Sequence, residues 1–423
     1  MRICYLIPEF PGQTHAFFWR ESKELARLGV ESVFVSTRRP PRRIKSHVWG
    51  PEAEAATTYL FPLKLGVLLP TLLVVLVAGP AGWWRALRSA LIEAEGGVKA
   101  RLQNLLLIFM GARLARIVGR TGCDHVHVHS CAKAAMVALL AHRLTGVSYS
   151  MTLHGPIRDY GPSQTIKWRY ARFAIIITKK LYDEAHDQLA GYLPQQVRIA
   201  PMGVALDNFD RRRPYEAYRG EGPARLFSCG RLNVIKGHRE LIQAVALMRQ
   251  RGFDVTATIA GEDEQGGTGF RKTLEELLSE LGLGEHVRLL GAVSEDIVRA
   301  ELEAAHAFVL PSYHEPLGVA IMEAMAMQTP VVTTRQGGVT ELVTEGVDGL
   351  LVDAKCVQSL ADAVMQLLAD SDMAARFSRS SRLKIERAFH SGVSAAQIIG
   401  LLKQTNAHTR QSPQPQDTVA PNP

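Results

Sequence analysis

Glu315 and Glu323 lie on either side of a Pro/Gly turn, in the run Pro311-Ser312-Tyr313-His314-Glu315-Pro316-Leu317-Gly318-Val319-Ala320-Ile321-Met322-Glu323-Ala324-Met325-Ala326. Val309 and Leu310 read as the end of a buried strand, and Pro316 and Gly318 break the chain. Val319 to Met327 then reads as a helix opening straight out of the turn. Glu315 is thereby assigned to the loop and Glu323 to the helix. The glycine turn and the helix N-terminus after it offer free N–H groups and the positive end of a dipole, which suits a phosphate. Carboxylates beside such a site would repel the phosphate, so they must address something else. The hydroxyls of a sugar are the natural choice.

Two further segments extend this site. Arg225-Leu226-Phe227-Ser228-Cys229-Gly230-Arg231-Leu232-Asn233-Val234-Ile235-Lys236-Gly237-His238 runs from a short apolar strand through Gly230 into a helix with the period Leu241, Ala244, Val245, Met248. Arg231 and Lys236 sit where open α/β sheets bind ligands, at the C-terminal end of a strand. Arg grips a diphosphate with a planar fork, and Lys acts as a point charge. Downstream, Pro330-Val331-Val332-Thr333 leads to Arg335-Gln336-Gly337-Gly338-Val339-Thr340-Glu341-Leu342, a second glycine turn into a helix. Any one of these segments alone has an ordinary reading as an exposed loop. In order, they fit one crevice lined by cations, helix N-termini and carboxylates.

Gly-Arg-Leu…Lys-Gly from Gly230, Pro-Ser…Glu…Gly…Glu-Ala-Met-Ala from Pro311 and Pro-Val-Val…Gly-Gly…Glu-Leu-Val from Pro330 together resemble the retaining glycosyltransferases of family 4, over roughly residues 1 to 400. The resemblance implies an α/β chain of GT-B architecture, two Rossmann-like domains facing across a cleft. It implies a nucleotide-diphosphate sugar as donor and a saccharide or lipid-linked acceptor. Arg231 and Lys236 would bind the donor diphosphate, Glu315 the transferred sugar and Glu323 the ribose, with Gly230, Gly318, Val319, Gly337 and Gly338 close to the donor. Neither a metal nor another cofactor is expected. Leu317 replaces a more usual Phe, Gln328 stands where Gly is common, and Ala260 to Gly267 departs from a short Gly-Asp-Gly-Pro turn, so the base pocket is the least defined part.

The elements that carry these loops recur in the first half. Arg2 to Pro8 is a short apolar strand, Pro11 to His15 a turn, and Phe18, Leu25 and Leu28 mark a helix before the strand Val33-Phe34-Val35-Ser36. The phrase Phe10-Pro11-Gly12-Gln13-Thr14-His15-Ala16-Phe17-Phe18-Trp19-Arg20-Glu21 is similar to the opening of colanic-acid and exopolysaccharide assembly transferases, whose turn usually reads Ser-Glu-Thr. By that likeness Gly12 faces the donor phosphates. Asp124-His125-Val126-His127-Val128-His129 puts three histidines on one face of a strand without a carboxylate or cysteine spacing that completes a metal set. His129 is a possible acceptor-side residue. Ser150-Met151-Thr152-Leu153-His154-Gly155 is a strand ending in His-Gly, and the resemblance gives His154 a contact with the outer hydroxyls of the donor sugar.

The organisation implied is a first domain over residues 1–205, a linker over 206–222, a second domain over 223–385 and a helix over 386–404 that crosses back. A tail over 405–423, rich in Gln, Pro, Asn and Thr, reads as disordered. With 423 residues, 47% of them apolar, the chain can bury two cores. Residues 1–205 hold 26 Lys+Arg and 13 Asp+Glu, a net of +13, so against +8 for the whole chain the remainder carries −5. Such a basic half suits an anionic membrane surface or a lipid diphosphate. No aromatic-interleaved basic motif points to nucleic acid. Five scattered cysteines suit a reducing cytosol, and Met1 leads directly into the first strand without a signal segment.

Leu65 to Trp84 carries no charge over the length of a membrane span, yet Gly66, Pro70, Gly79, Pro80 and Gly82 interrupt it. A core helix, a span and an apolar surface dipping into lipid all remain open. Trp83 and Trp84, followed by Arg85, Arg88, Lys99 and Arg101, favour the last, at the inner face of the cytoplasmic membrane. A sugar-nucleotide epimerase or hydrolase of the same fold and a non-catalytic assembly partner are the alternative functions.

Overall fold

The computed structural model describes residues 1–12, 15–40, 47–62, 65–263 and 265–411. Gln13 and Thr14 of the first glycine turn therefore lie outside the described residues, as do Glu264 and 412–423. The first sheet comprises β1 (Arg2–Glu9), β2 (Glu31–Arg38), β3 (Thr58–Tyr59), β4 (His125–Val128), β5 (Tyr149–Leu153), β6 (Ala174–Ile176) and β7 (Val197–Ile199), and the second β8 (Ala224–Cys229), β9 (Val255–Ala260), β10 (Val287–Gly291), β11 (Ala307–Leu310), β12 (Val331–Thr334) and β13 (Leu350–Val352). Every pairing between these strands is parallel.

Their orders are β3-β2-β1-β4-β5-β6-β7 and β10-β9-β8-β11-β12-β13. Each order reverses direction once, between β1 and β4 in the first sheet and between β8 and β11 in the second. At such a switch point the loops leaving adjacent strands diverge to opposite faces and open a crevice at their C-terminal ends. Short, wholly apolar strands such as Ala307–Leu310 are buried throughout, as a sheet covered by helices on both faces requires. The expected α/β class and two doubly wound domains are thus present.

The chain passes from the first sheet to the second between Ile199 and Ala224 and returns through the helices Ser371–Ala388 and Gly392–Gln411. Ala395, Ile398, Ile399, Leu401 and Leu402 of the last helix join a core with Ile3, Tyr5, Ile7, Phe18 and Leu25 of the first domain. This helix runs on past residue 405, to Gln411, within the stretch whose composition suggests disorder. The first helix, Ala16–Arg27, ends before Leu28, which is 52% exposed and does not belong to the core face expected of it. Gln328, placed where Gly is common, adopts φ 58° and closes the helix Val319–Ala326 in a left-handed turn.

The apolar run does not form one straight rod. It divides into the helices Leu65–Val77 and Gly79–Arg88, the second continued by a wider turn to Glu93, with a bend of 101° at the break. Val74, Val75 and Ala78 pack on the domain core, whereas Leu69, Leu72, Leu73, Leu76 and Val77 are exposed. The helix Val98–Thr121 is long and apolar enough to cross a membrane. It buries Gly111, Ala112, Leu114 and Val118 on one side and exposes Val98, Leu102, Leu106 and Phe109 on the other.

Gly203 marks the place where the outgoing and returning chains touch. A Cβ there would lie 2.1 Å from the carbonyl carbon of His390, between the backbone bonds Val204 N–H to Phe389 (2.9 Å) and Ser391 N–H to Val204 (2.9 Å). Gly203→Ala should therefore pry the crossing apart and cost about 1–3 kcal/mol. A lowered thermal-unfolding midpoint checks this, with Gly284→Ala, in open space and outside the left-handed region, as a reference for effects unrelated to the crossing.

Candidate functional site

Loops at both switch points converge on a cavity of about 700 Å³ between the domains. From the second domain it receives Gly230, Arg231, Lys236, Glu315, Gly318, Val319 and Glu323, and from the first His15, Phe17, Arg20, His129 and His154. All four charged residues singled out in the second domain are thus in one place, with His154 across from them. Gly12, Gly337 and Gly338 are not among the lining residues. Gly12 packs against His15, and the glycine pair buttresses the Glu315 loop from behind. There Gly338 N–H donates to the Glu315 carbonyl at 2.9 Å, and a Cβ on Gly337 would lie 2.0 Å from that oxygen.

Backbone geometry sets each charge. Lys236 ends a short turn capped by Asn233, and Gly237 follows at φ 70°, where a Cβ would meet the Pro311 carbonyl oxygen at 2.1 Å. That close approach brings the two loops together, and Lys236 Nζ donates to Glu315 Oε2 at 2.5 Å. Ser312 Oγ donates to the same carboxylate oxygen at 3.2 Å. Gly318 at φ 98° turns the chain into the helix Val319–Ala326, whose first residues, Val319 and Ala320, line the cavity.

Glu323, expected to be free for a ribose, has a protein partner. Arg20 Nη1 lies 2.8 Å from Glu323 Oε1, and Arg20 Nη2 lies 2.7 Å from Glu295 Oε2. The guanidinium side chain is 4% exposed and stacks over the Phe209 ring at 4.8 Å. Asn208 Nδ2 also donates to Glu295 at 2.9 Å. Burial raises the Glu323 pKa, against the lowering effect of Arg20 and with further raising from Glu295. One cation from the first domain thus holds two carboxylates of the second.

The histidines of β4 divide by role. His125 and His127 are committed to the neighbouring strand. His125 Nδ1 pairs with Ser148 Oγ (2.8 Å) and its Nε2 with Ser150 Oγ (2.7 Å), while His127 Nδ1 pairs with Ser150 Oγ (2.7 Å) and its Nε2 with Thr152 Oγ1 (2.9 Å). His129 instead reaches the cavity beside His154, their Nδ1 and Nε2 3.2 Å apart. Burial lowers the His154 pKa to about 3 and that of His15 to about 4, so both rings are neutral. Glu21, His127 and His129 bring three potential metal-ligating atoms within 4.8 Å of one another. A metal there would have to displace one of the two hydroxyl partners of His127.

Arg20, Glu295 and Glu21 were not assigned roles from the sequence. A signal was available for one of them. Glu21 lies three residues after Phe18 and four before Leu25, on the buried face of an amphipathic helix, where a charge requires a partner.

Two doubly wound domains meeting over such a cleft constitute the GT-B fold. Residues 216–384 match the family model described as glycosyl transferases group 1, and residues 14–185 that of a glycosyl transferase 4-like domain. The chain is 31% identical over 302 residues, 66% of its length and 71% of the relative, to D-inositol 3-phosphate glycosyltransferase of Corynebacterium urealyticum. It is 29% identical over 292 residues, 64% of its length and 74% of the relative, to a GDP-mannose-dependent alpha-(1-6)-phosphatidylinositol monomannoside mannosyltransferase of Mycolicibacterium smegmatis. In fold it is similar to Anabaena HepE, solved in complex with UDP and glucose, with TM-score 0.71, 18% identity and coverage of 96% of this chain and 100% of that one. The chain belongs to family 4 of the glycosyltransferases, the glycosyl transferase group 1 family.

Arg20→Met strands two partly buried carboxylates and should cost about 3–5 kcal/mol. Urea unfolding followed by tryptophan fluorescence measures the loss. Adding Glu295→Gln should recover part of it, and no recovery would show that Glu295 is not held by this cation.

Proposed function

We propose that this glycosyltransferase moves a sugar, with retention at the anomeric carbon, from a nucleotide-diphosphate donor to a saccharide or lipid-linked acceptor in exopolysaccharide or cell-envelope synthesis. The convergence of Arg231, Lys236, Glu315 and the Val319 helix N-terminus on one cavity opposite His154 carries the reading. Charge that develops on the departing diphosphate is met by Arg231, by Lys236 and by that helix end. Lys236 keeps two further donors for phosphate while holding Glu315, so the anion and the sugar hydroxyls are received side by side. Glu323 accepts from the ribose with the oxygen that Arg20 leaves.

No side chain in this arrangement is needed as a covalent nucleophile. The acceptor hydroxyl attacks from the side the diphosphate leaves, and a phosphate oxygen takes its proton. Two cations and a helix dipole supply the neutralisation a metal would otherwise give. Relatives named for UDP, GDP-mannose and phosphorylated inositol acceptors support the donor class and an acceptor that carries phosphate.

The acceptor side also supports a lipid location. Exposed Leu69, Leu73, Leu76, Trp84, Val98, Leu102 and Leu106 form an apolar surface on the basic domain, with Lys99 and Arg101 exposed beside them. Such a surface docks peripherally on an anionic leaflet, at the cytoplasmic face. Arg85 and Arg88 serve it less directly, since Arg85 donates to the Arg143 carbonyl (3.1 Å) and Arg88 pairs with Glu93 (3.1 Å).

Arg231→Ala and Lys236→Ala should each lower turnover about a hundredfold with the fold intact. Steady-state assays on nucleotide-sugar donors with circular dichroism alongside test it. Near-normal turnover by either folded variant would remove that residue from the mechanism. Replacing Leu69, Leu73 and Leu76 with serine, or Lys99 and Arg101 with glutamate, should move the folded protein off phosphatidylserine-containing vesicles in a sedimentation assay. Each basic residue near the surface contributes about 1 kcal/mol. Unchanged sedimentation of both variants would exclude this face.

A further inference from the structure

Glu21 is a buried carboxylate behind the sugar-facing histidine, and the transfer chemistry does not use it. Its Oε1 accepts from the Tyr5 hydroxyl and stands 3.3 Å from His129 Nε2, a buried nitrogen that makes no aligned hydrogen bond among the described residues, so the carboxylate acts on it through charge at close range. The other nitrogen of His129, Nδ1, stands 3.2 Å from Nε2 of His154. His154 Nδ1 is buried and has no hydrogen-bond partner among the described residues, although the ring lines the cavity. Four groups thus stand in series, a phenol, a carboxylate and two imidazoles, with the carboxylate and the first ring in charge proximity and the second ring ending in an unpartnered nitrogen on the cavity side.

The series has only one consistent set of protons when both rings are neutral. A lone pair on His129 Nε2 would face a carboxylate oxygen, which is repulsive, so the proton of that ring sits on Nε2. His129 Nδ1 is then an acceptor, and the short contact between the rings requires that His154 Nε2 carry the proton that fills it. His154 Nδ1 is left as a bare lone pair. We infer that Glu21 is a positioning residue which, through His129, fixes the tautomer of His154 so that it presents an acceptor, and that the ligand group His154 recognises is a hydroxyl acting as donor. This deepens the reading of His154 as a contact for the donor sugar and rests on it. A buried neutral ring fits the role, because a protonated His154 would have no lone pair to offer.

The two parts are tested separately. Long-range proton–nitrogen NMR on the free full-length protein labelled in histidine, assigned with His154→Asn, reports the tautomer without any ligand. The expected spectrum shows His154 protonated at Nε2 and bare at Nδ1. Glu21→Gln, whose amide oxygen can still accept from Tyr5 and His129, should preserve it. Glu21→Leu combined with Tyr5→Phe, which leaves no orphan hydroxyl, should release His154 to a mixture of tautomers, with Tyr5→Phe alone unchanged. Protonation at Nδ1 in the unmodified protein, or an unaltered tautomer in the double variant, overturns the relay. Should the double variant fail to fold, the spectra of the unmodified protein and Glu21→Gln still decide it.

Kinetics with UDP-glucose, and GDP-mannose in parallel, addresses recognition. The folded double variant should lose about tenfold in kcat/KM, mostly through donor KM, while Glu21→Gln stays near the original. Fluorine accepts weakly and cannot donate, so the deoxyfluoro donor altered at the contacted hydroxyl should be discriminated against by the unmodified enzyme and less so by the double variant. Equal discrimination by both overturns the acceptor role. If neither nucleotide sugar is bound while the NMR pattern holds, the choice of donor sugar falls and the relay stands.

Discussion

Arg20 has to be neutralised in a place that excludes water, and only the second domain supplies the carboxylates that do it. Its side chain is 4% exposed and is held between Glu295 and Glu323, with the Phe209 ring beneath. Because the cation and its carboxylates come from different domains, their pairing holds the two domains in the relation that forms the cleft. Glu323, which faces the cavity, is oriented by the same cation. The site and the domain interface are therefore one electrostatic object, and the glycines around Lys236 and Glu315 serve to bring backbone close enough for it to form.

Much of the second domain was legible in sequence because its chemistry is local. Strand, glycine turn and helix follow one another within a dozen residues, and the turn residues Gly230, Pro316 and Gly318 announce where Arg231, Lys236, Glu315 and Glu323 must project. The buried pairings were not legible, since Arg20 and Glu295 are 275 residues apart and nothing in either segment names the other. Gly337 and Gly338 have a packing role that their sequence does not announce. A glycine turn after a strand looks like a phosphate loop, yet here it accommodates the backbone of Glu315 from behind. The apolar run from Leu65 reads ambiguously in sequence because opposite sides of one helix meet the core and solvent.

The charge asymmetry of the two halves acquires a location in the fold. The helices Gly79–Arg88 and Val98–Thr121 bring exposed indole, leucine and basic side chains to the same domain that contributes His154 to the cavity. The second domain, net negative, carries Arg231 and Lys236 in loops that line the cavity. Under the proposed function, an acceptor at a membrane and a soluble nucleotide sugar would approach from different domains, which the cleft brings together.

The row of rings on β4 has a property that belongs to none of its members. Ser148, His125, Ser150, His127 and Thr152 are joined end to end. Burial holds both imidazoles neutral, so each has one proton for two nitrogens. Ser150 has one proton to offer between two rings. If it donates to His127, it must accept from His125, and every other proton in the row is then fixed. If it donates the other way, all of them reverse. As in the ice rules for water, only two arrangements leave no defect, and they have opposite polarity. The strand pair therefore stores a single orientational bit along its length, and flipping one ring costs a fault that travels to the end of the row before it is healed.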